Sequence, residues 1–380
     1  NTSTQTVLKA AATFHKDTIA PTGYSVSIDQ AYINDANKAA MSFTFGSAEV
    51  GTTYNYSIDD VNGGTSAVTG SGTITSAGQQ ISGINVTSLD DGTLTLTAYL
   101  TDPAANQGSN AQDTVVKSTI GPAAPTNATI VAGTGWNTNY ISNTNKAAVK
   151  VSGNKSSSTV SIKIEIDDED TFAAAKTITL SALGGGTTYA DTTGIDVTTA
   201  TALADGTIAI RITATDAFNN TSTQTVLKAA ATFHKDTTAP NLLSANGTNS
   251  GVANIFNAIG DQLDLVFTER VAVAPTKANS ETDFIFSGTD GNNFPTEVGG
   301  QTIINLATTS VANDTIRYTF STGDTPSVNL IIPGTTTIDV NVGNVVANSI
   351  EDLAGNDLLD TNTGSALVIS NAANAPQTPT

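Results

Sequence analysis

The chain has 380 residues and a formal net charge of −19, with 34 acidic against 15 basic side chains, 38% hydrophobic residues, 13% charged residues and no cysteine. The missing cysteine excludes disulfides, thiolate metal sites and a thiol nucleophile, and the negative charge disfavours nucleic acid and anionic membranes while favouring divalent cations. The length predicts two to four domains, the Thr, Ser, Asn and Gly content favours short strands over helices, and no run approaches the ~20 apolar residues of a membrane helix, so no membrane insertion is expected.

In chain order, the first segment is NTSTQTVLKAAATFHKDTIAP, Asn1 to Pro21, and it returns as Asn220 to Pro240 with only Ile19 replaced by Thr238. Residues 1–16 are therefore expected to be the last strand of a preceding repeat, with Val7, Ala10 and Phe14 among its apolar positions. A lone strand must find a partner sheet. Next, INDANKAAMSFTF (Ile33 to Phe45) matches ISNTNKAAVKVSG (Ile141 to Gly153), with NKAA leading into a strand. YNYSIDD (Tyr54 to Asp60) then matches IKIEIDD (Ile162 to Asp168).

LDDGTLTLTAYLTD (Leu89 to Asp102) matches LADGTIAIRITATD (Leu203 to Asp216). Leu94, Leu96, Ala98 and Leu100, and again Ile208, Ile210, Ile212 and Ala214, alternate with outward residues at the period of a half-buried strand. From about Pro240 the pattern diverges: GDQLDLVFTERV (Gly260 to Val271) is an early strand, and DTIRYTF places Ile316, Tyr318 and Phe320 inward. Domains are expected at 17–118, 119–235 and 236–371, with a linker at 372–380. Their size and strand spacing suit a β-sandwich of roughly 100 residues.

Each repeat closes on Asp-x-x-x-Asn: DPAAN (Asp102 to Asn106), DAFNN (Asp216 to Asn220) and DLAGN (Asp352 to Asn356). The junctions KDTIAP (Lys16 to Pro21) and KDTTAP (Lys235 to Pro240) complete the pattern. This resembles the bacterial Ig-like repeat family, whose units typically close with DGTYTLTATATDAAGN and join through DTTAP. The third domain is similar to the variant carrying LTFSEPV, here LVFTERV (Leu265 to Val271). The resemblance runs to about residue 370 and implies an all-β fold of tandem immunoglobulin-like sandwiches in an elongated, extracellular, cell-surface rod. Such modules occur in adhesins, surface layers, biofilm matrix and accessory regions of secreted enzymes.

Catalysis is not expected. His15 and His234 are one repeat position seen twice, and no G-x-S-x-G occurs. The acid pairs Asp59/Asp60, Asp90/Asp91, Asp167/Asp168 with Glu169/Asp170, and Glu351/Asp352 recur at loops without an accompanying aromatic cluster, unlike a glycosidase cleft.

Calcium accounts for the acids through the resemblance. In an Ig-like sandwich the Asp-x-x-x-Asn loop lies beside the incoming linker, while the acids after YNYSI and IKIEI and those of LDDG and LADG face the next domain. Stacking then gathers Asp17, Asp102 and Asn106 at the first domain's upstream end, and Asp59, Asp60, Asp91, Asp216 and Asn220 at the first junction. At the second junction it gathers Asp167, Asp168, Asp205, Asp236, Asp352 and Asn356. Ca²⁺ takes six to eight oxygens at about 2.3–2.6 Å. The competing reading is that Asp and Asn simply cap turns. KSTIGPAAP (Lys117 to Pro125), where Ser118 replaces the linker Asp, predicts a calcium-poor and more bendable first junction.

The expected function is structural: a calcium-stiffened segment of an adhesin stalk, surface layer or extracellular filament. Its expected partners are neighbouring repeats or copies of itself, and a host-surface or polysaccharide target. The alternatives are a carbohydrate- or ligand-binding third domain and an accessory region of a secreted hydrolase.

Overall fold

The computed structural model describes residues 16–131, 138–168, 171–198, 203–227, 233–248, 261–273, 284–287, 298–304, 314–320, 334, 336–340, 350–359 and 367–371. The strand expected within residues 1–15, His15, Glu169, Asp170 and the segment 372–380 lie outside them. All regular structure among the described residues is strand.

Alternation builds the first domain. Leu94, Leu96, Ala98 and Leu100 on Gly92–Thr101 are fully buried and share a core with Met41, Phe43, Phe45 and Ile58. One sheet runs Ser25–Ile28, Met41–Gly46, Gln80–Ile84, and the other Val68–Thr73, Thr53–Asp60, Gly92–Thr101, Ala111–Lys117. Every pairing in both is antiparallel. Glycine at 70 and 72 leaves room for the rings of Tyr56 and Tyr54 on the adjacent strand, which a Cβ at either position would push aside.

The second domain repeats this plan. Thr188–Ala190, Val151–Asn154 and Ala128–Ile130 form one sheet, and Lys176–Leu180, Thr159–Asp167, Ala209–Asp216 and Thr225–Leu227 the other. Ile208, Ile210, Ile212 and Ala214 are fully buried. Both domains are thus immunoglobulin-like sandwiches with a three-plus-four division. The fourth strand pairs with the third, whereas in the constant-type immunoglobulin domain it belongs to the opposite sheet.

In the third domain the order is Val298–Ile304, Thr315–Phe320, Gln262–Phe267, Leu242–Thr248, Ser370–Asn371, with the last pair parallel. A second sheet runs Phe284–Ser287, Thr337–Val340, Leu367–Val368. Ile316 and Tyr318 are buried in its core. Three separate apolar cores result, from Val26 to Val115, Ile130 to Phe233 and Leu242 to Ile369.

Asn37–Ala40, the NKAA of the first repeat, leads into a strand but is not itself extended. It belongs to a single turn ahead of Met41–Gly46. That turn lies at the end of the domain from which the chain leaves, because Ile33 bridges Lys117 in parallel. Tyr140–Ile141 pairs in the same way with His234–Lys235 in the second domain.

Candidate functional site: the inter-domain joints

The Asp-x-x-x-Asn loop closes on itself. Asp216 Oδ1 accepts the N–H groups of Phe218 at 2.9 Å and Asn220 at 2.8 Å, and its Oδ2 accepts Asn220 Nδ2 at 3.2 Å. Asp102 binds Asn106 N and Nδ2 at 2.8 Å each, and Asp352 binds Ala354 N at 2.7 Å, Asn356 N at 2.9 Å and Asn356 Nδ2 at 2.7 Å. The residue before each Asn turns left-handed: φ is 69° at Ala105, 61° at Asn219 and 83° at Gly355. Short polar Asp and Asn side chains suit such turns because they satisfy the loop's own backbone.

The turn at the opposite end of the first and second domains leaves one donor over. Asn34 Oδ1 accepts Ala36 N and Asn37 N, both at 3.1 Å, and Lys38 N donates to Asn34 O at 3.0 Å. In the second domain Lys146 N donates to Ser142 O at 3.0 Å and Asn145 Oδ1 accepts Ser142 N at 2.8 Å. Opening N–H groups of a helical turn have no partner within the turn. Here the first ones, at Asp35 and Asn143, are taken by the next domain: Asp35 N donates to Asn220 Oδ1 at 3.0 Å, and Asn143 N to Asn356 Oδ1 at 2.8 Å.

The same Asn amides also hold the linker. Asn220 Nδ2 donates to Ser118 O at 2.8 Å, and Asn356 Nδ2 to Asp236 O at 2.9 Å and Thr238 O at 3.1 Å. Further ties differ between the joints. Asn34 Nδ2 donates to Phe218 O at 2.9 Å, Tyr32 meets the Phe218 ring edge-on at 5.9 Å, and Asn219 Nδ2 bonds the Tyr32 hydroxyl. At the second joint Asn143 Nδ2 donates to Thr237 O at 2.6 Å.

The acid of LDDG or LADG grips the departing linker. Asp91 accepts Thr119 N at 2.8 Å and Thr119 Oγ1 at 3.0 Å, and lies 3.9 Å from Lys117 Nζ. Asp205 accepts Thr237 N at 3.0 Å and pairs with Lys235. Burial works against the charge of Asp205, but Lys235 and Thr237 hold its carboxyl below the ordinary range.

The other expected ligands serve their own domains. Asp60 accepts the Thr65 hydroxyl, the N–H of Asp90 at 3.1 Å and those of Asn62 and Gly63, which lowers its pKa. Asp59 Oδ1 accepts Asp60 N at 3.0 Å, Asp168 Oδ2 accepts Ala204 N at 2.7 Å, and Asp167 is buried on its strand opposite Ala209. Asp17 accepts Ile19 N at 3.0 Å.

Among the described residues one group of three acids with close ligand oxygens forms, on the third-domain side of the second joint: Asp236 of the linker with Glu269 and Asp352, all within 4.8 Å of one another. It borders a cleft of about 450 Å³ lined by Tyr140, Asp205, His234, Lys235, Glu269 and Arg270. Burial, and then the charges of Asp236, Asp352 and Asp205, push the Glu269 carboxyl up to about 7. Burial raises Asp236 and Asp352 as well. His234 stacks on Tyr140 at 5.3 Å.

Glu269, Asp35 and Asn143 are the participants that the sequence reading passes over. Glu269 sits inside the LVFTERV motif, and Asn34 and Ser142 are N-cap residues opening the repeated turn, the one signal that marks those positions.

No protein-family model matches this chain, and no curated protein does. Similar solved structures include a tetra-tandem repeat in the extending region of a large adhesion protein, at 18% identity over 92% of this chain and 74% of that one, with a TM-score of 0.25. The FN1-FN3 domains of chicken CNTN1 are 10% identical over 56% of this chain and 67% of that one, with a TM-score of 0.31. The fibronectin(III)-like modules of Clostridium thermocellum CbhA are 13% identical over 56% and 93%, with a TM-score of 0.28. The fold assignment rests on the strand order above and not on these likenesses.

Proposed function

We propose that this chain is a load-bearing rod segment of a secreted cell-surface protein, such as an adhesin stalk, surface layer or extracellular filament. Its sandwiches are locked end to end by Asn amides, and its second joint is stiffened by calcium. The observation that carries this reading is the recurrence of one contact set: Asn220 and Asn356 each bind their own loop Asp, the linker and the preceding domain's turn. Such contacts restrain bending without covering a large apolar interface.

The donor set at the second joint fits a hard divalent cation. Asp236, Glu269 and Asp352 offer carboxylate oxygens within 4.8 Å, from the linker and from two loops of the third domain, and Ca²⁺ prefers such oxygens. Bound there, calcium would neutralise a mutual repulsion that otherwise favours protonation of Glu269. The first joint has Ser118 in place of the linker acid and is held by hydrogen bonds.

Small-angle scattering with and without excess chelator tests both parts. Chelation is expected to increase flexibility, and Glu269→Gln to remove that response. A chain whose dimensions stay unchanged in chelator lacks the calcium joint. One that is already fully flexible in calcium is not a rod.

A further inference from the structure

We propose that the Asp102–Asn106 loop of the first domain is an open socket for one more domain of the middle type, whose Ser-Asn-Thr-Asn turn donates its first N–H to Asn106 Oδ1. This rests on the end-to-end reading above and extends it to a specific surface and partner.

The socket is already assembled. Asn106 Nδ2 donates to Asp102 Oδ2 at 2.8 Å and to the linker carbonyl of Asp17 at 3.2 Å, matching Asn356 on Asp352 and Asp236. The linker has its docked shape, since Asp17 Oδ1 accepts Ile19 N at 3.0 Å as Asp236 Oδ1 accepts Thr238 N at 3.2 Å. One contact is missing. Asn220 Oδ1 and Asn356 Oδ1 each accept a turn N–H, but Asn106 Oδ1 has no partner among the described residues. Burial agrees: Asn220 is 4% exposed and Asn356 1%, whereas Asn106 is half-buried.

The sequence names the occupant. Asn1 to Pro21 repeat Asn220 to Pro240 with one substitution, so the linker entering the first domain is the one that leaves the middle domain. The fitting turn is then Ser142–Asn145, whose Asn143 N–H fills the same place on Asn356. Asp17 and Asp102 belong to no group of three acids among the described residues, and the contact inferred here is the amide's, as at the first joint.

The test is an extended chain with a second copy of residues 119–219 placed directly ahead of Asn1, which regenerates a whole middle domain. Hydrogen exchange is read on the unique segment Thr101 to Gln107, whose loop N–H groups must open to exchange. Exchange should be roughly tenfold slower than in the 380-residue chain, equally so in excess chelator, and the slowing should vanish with Asn106→Ala. Asn143→Pro in the added copy alone should also abolish it, because proline fits the first position of a turn while lacking the N–H. That variant's thermal unfolding checks that the added domain is intact.

Unchanged exchange on extension, or slowing that survives Asn143→Pro, overturns the inference. Slowing that requires calcium overturns it too, by assigning the docking to a cation. The chelator response of the second joint is read separately through Glu269→Gln, so either result can fail alone.

Discussion

The side-chain carbonyl of Asn220 accepts the backbone N–H of Asp35 at 3.0 Å across a domain boundary. A turn in one domain is thereby capped by a side chain of the next, and Asn356 does the same for Asn143 at 2.8 Å. A buried amide with both ends engaged fixes orientation as well as distance.

Asn220→Ala should loosen the first joint and Asn356→Ala the second, each costing about 1–3 kcal/mol because buried partners are left unsatisfied. Scattering should show bending at the affected joint while circular dichroism of the strands stays native. Loss of a domain's own fold in Asn220→Ala would mean that the amide serves the sandwich and not the joint.

Asp35→Pro should weaken the first joint alone. Proline is compatible with the first position of a turn, and the N–H it removes bonds only to Asn220 among the described residues. Limited proteolysis within 118–125 should accelerate. Cleavage at the wild-type rate would show that Asn34 and Tyr32 suffice to hold the joint.

Without divalent cation, the second joint should weaken as pH rises. Glu269 titrates near 7 in the folded protein against an ordinary 4.5, so between those values the folded state binds the extra proton. The stability gained from that proton is complete below about 4.5, is lost as pH rises through about 7, and is constant beyond. Asp236 and Asp352 shift in the same direction. Melting of Glu269→Gln in chelator should show a shallower dependence over this window, and equal slopes would contradict the assignment.

Arg211→Ala should destabilise the second domain specifically. Arg211 makes a two-point contact with the buried Glu165 at 2.7 and 2.8 Å, and removing one partner of such a pair costs about 3–5 kcal/mol. The second partner, Lys163 at 2.7 Å, places the effect towards the low end of that range. The hydrogen bonds from Arg211, against the cost of burial, hold Glu165 below its ordinary range, so this contribution is present above about 4.5 and falls away as pH drops through the lowered value. Domain-resolved hydrogen exchange would locate the loss, and an effect spread over all three domains would count against it.

Much of the fold is legible in the chain alone. Alternation at Leu94 to Leu100 and Ile208 to Ala214 determines which faces are buried, since a period of two permits one apolar side on a strand and burial follows from it. The repeated Asp-x-x-x-Asn likewise determines its loop, because the Asp must serve N–H groups two to four residues on. What remained for the tertiary structure was the meeting of distant segments. That the fourth strand joins the third depends on pairing within one sandwich, that Asp35 reaches Asn220 on how the ends of two sandwiches meet, and that Glu269 rather than Asp167 or Asp168 faces Asp236 and Asp352 on how the third domain folds against its own linker. Local periodicity carries no record of that geometry: an Asp capping its own turn and an Asp facing a neighbouring domain have the same sequence, and only the packed joint distinguishes them.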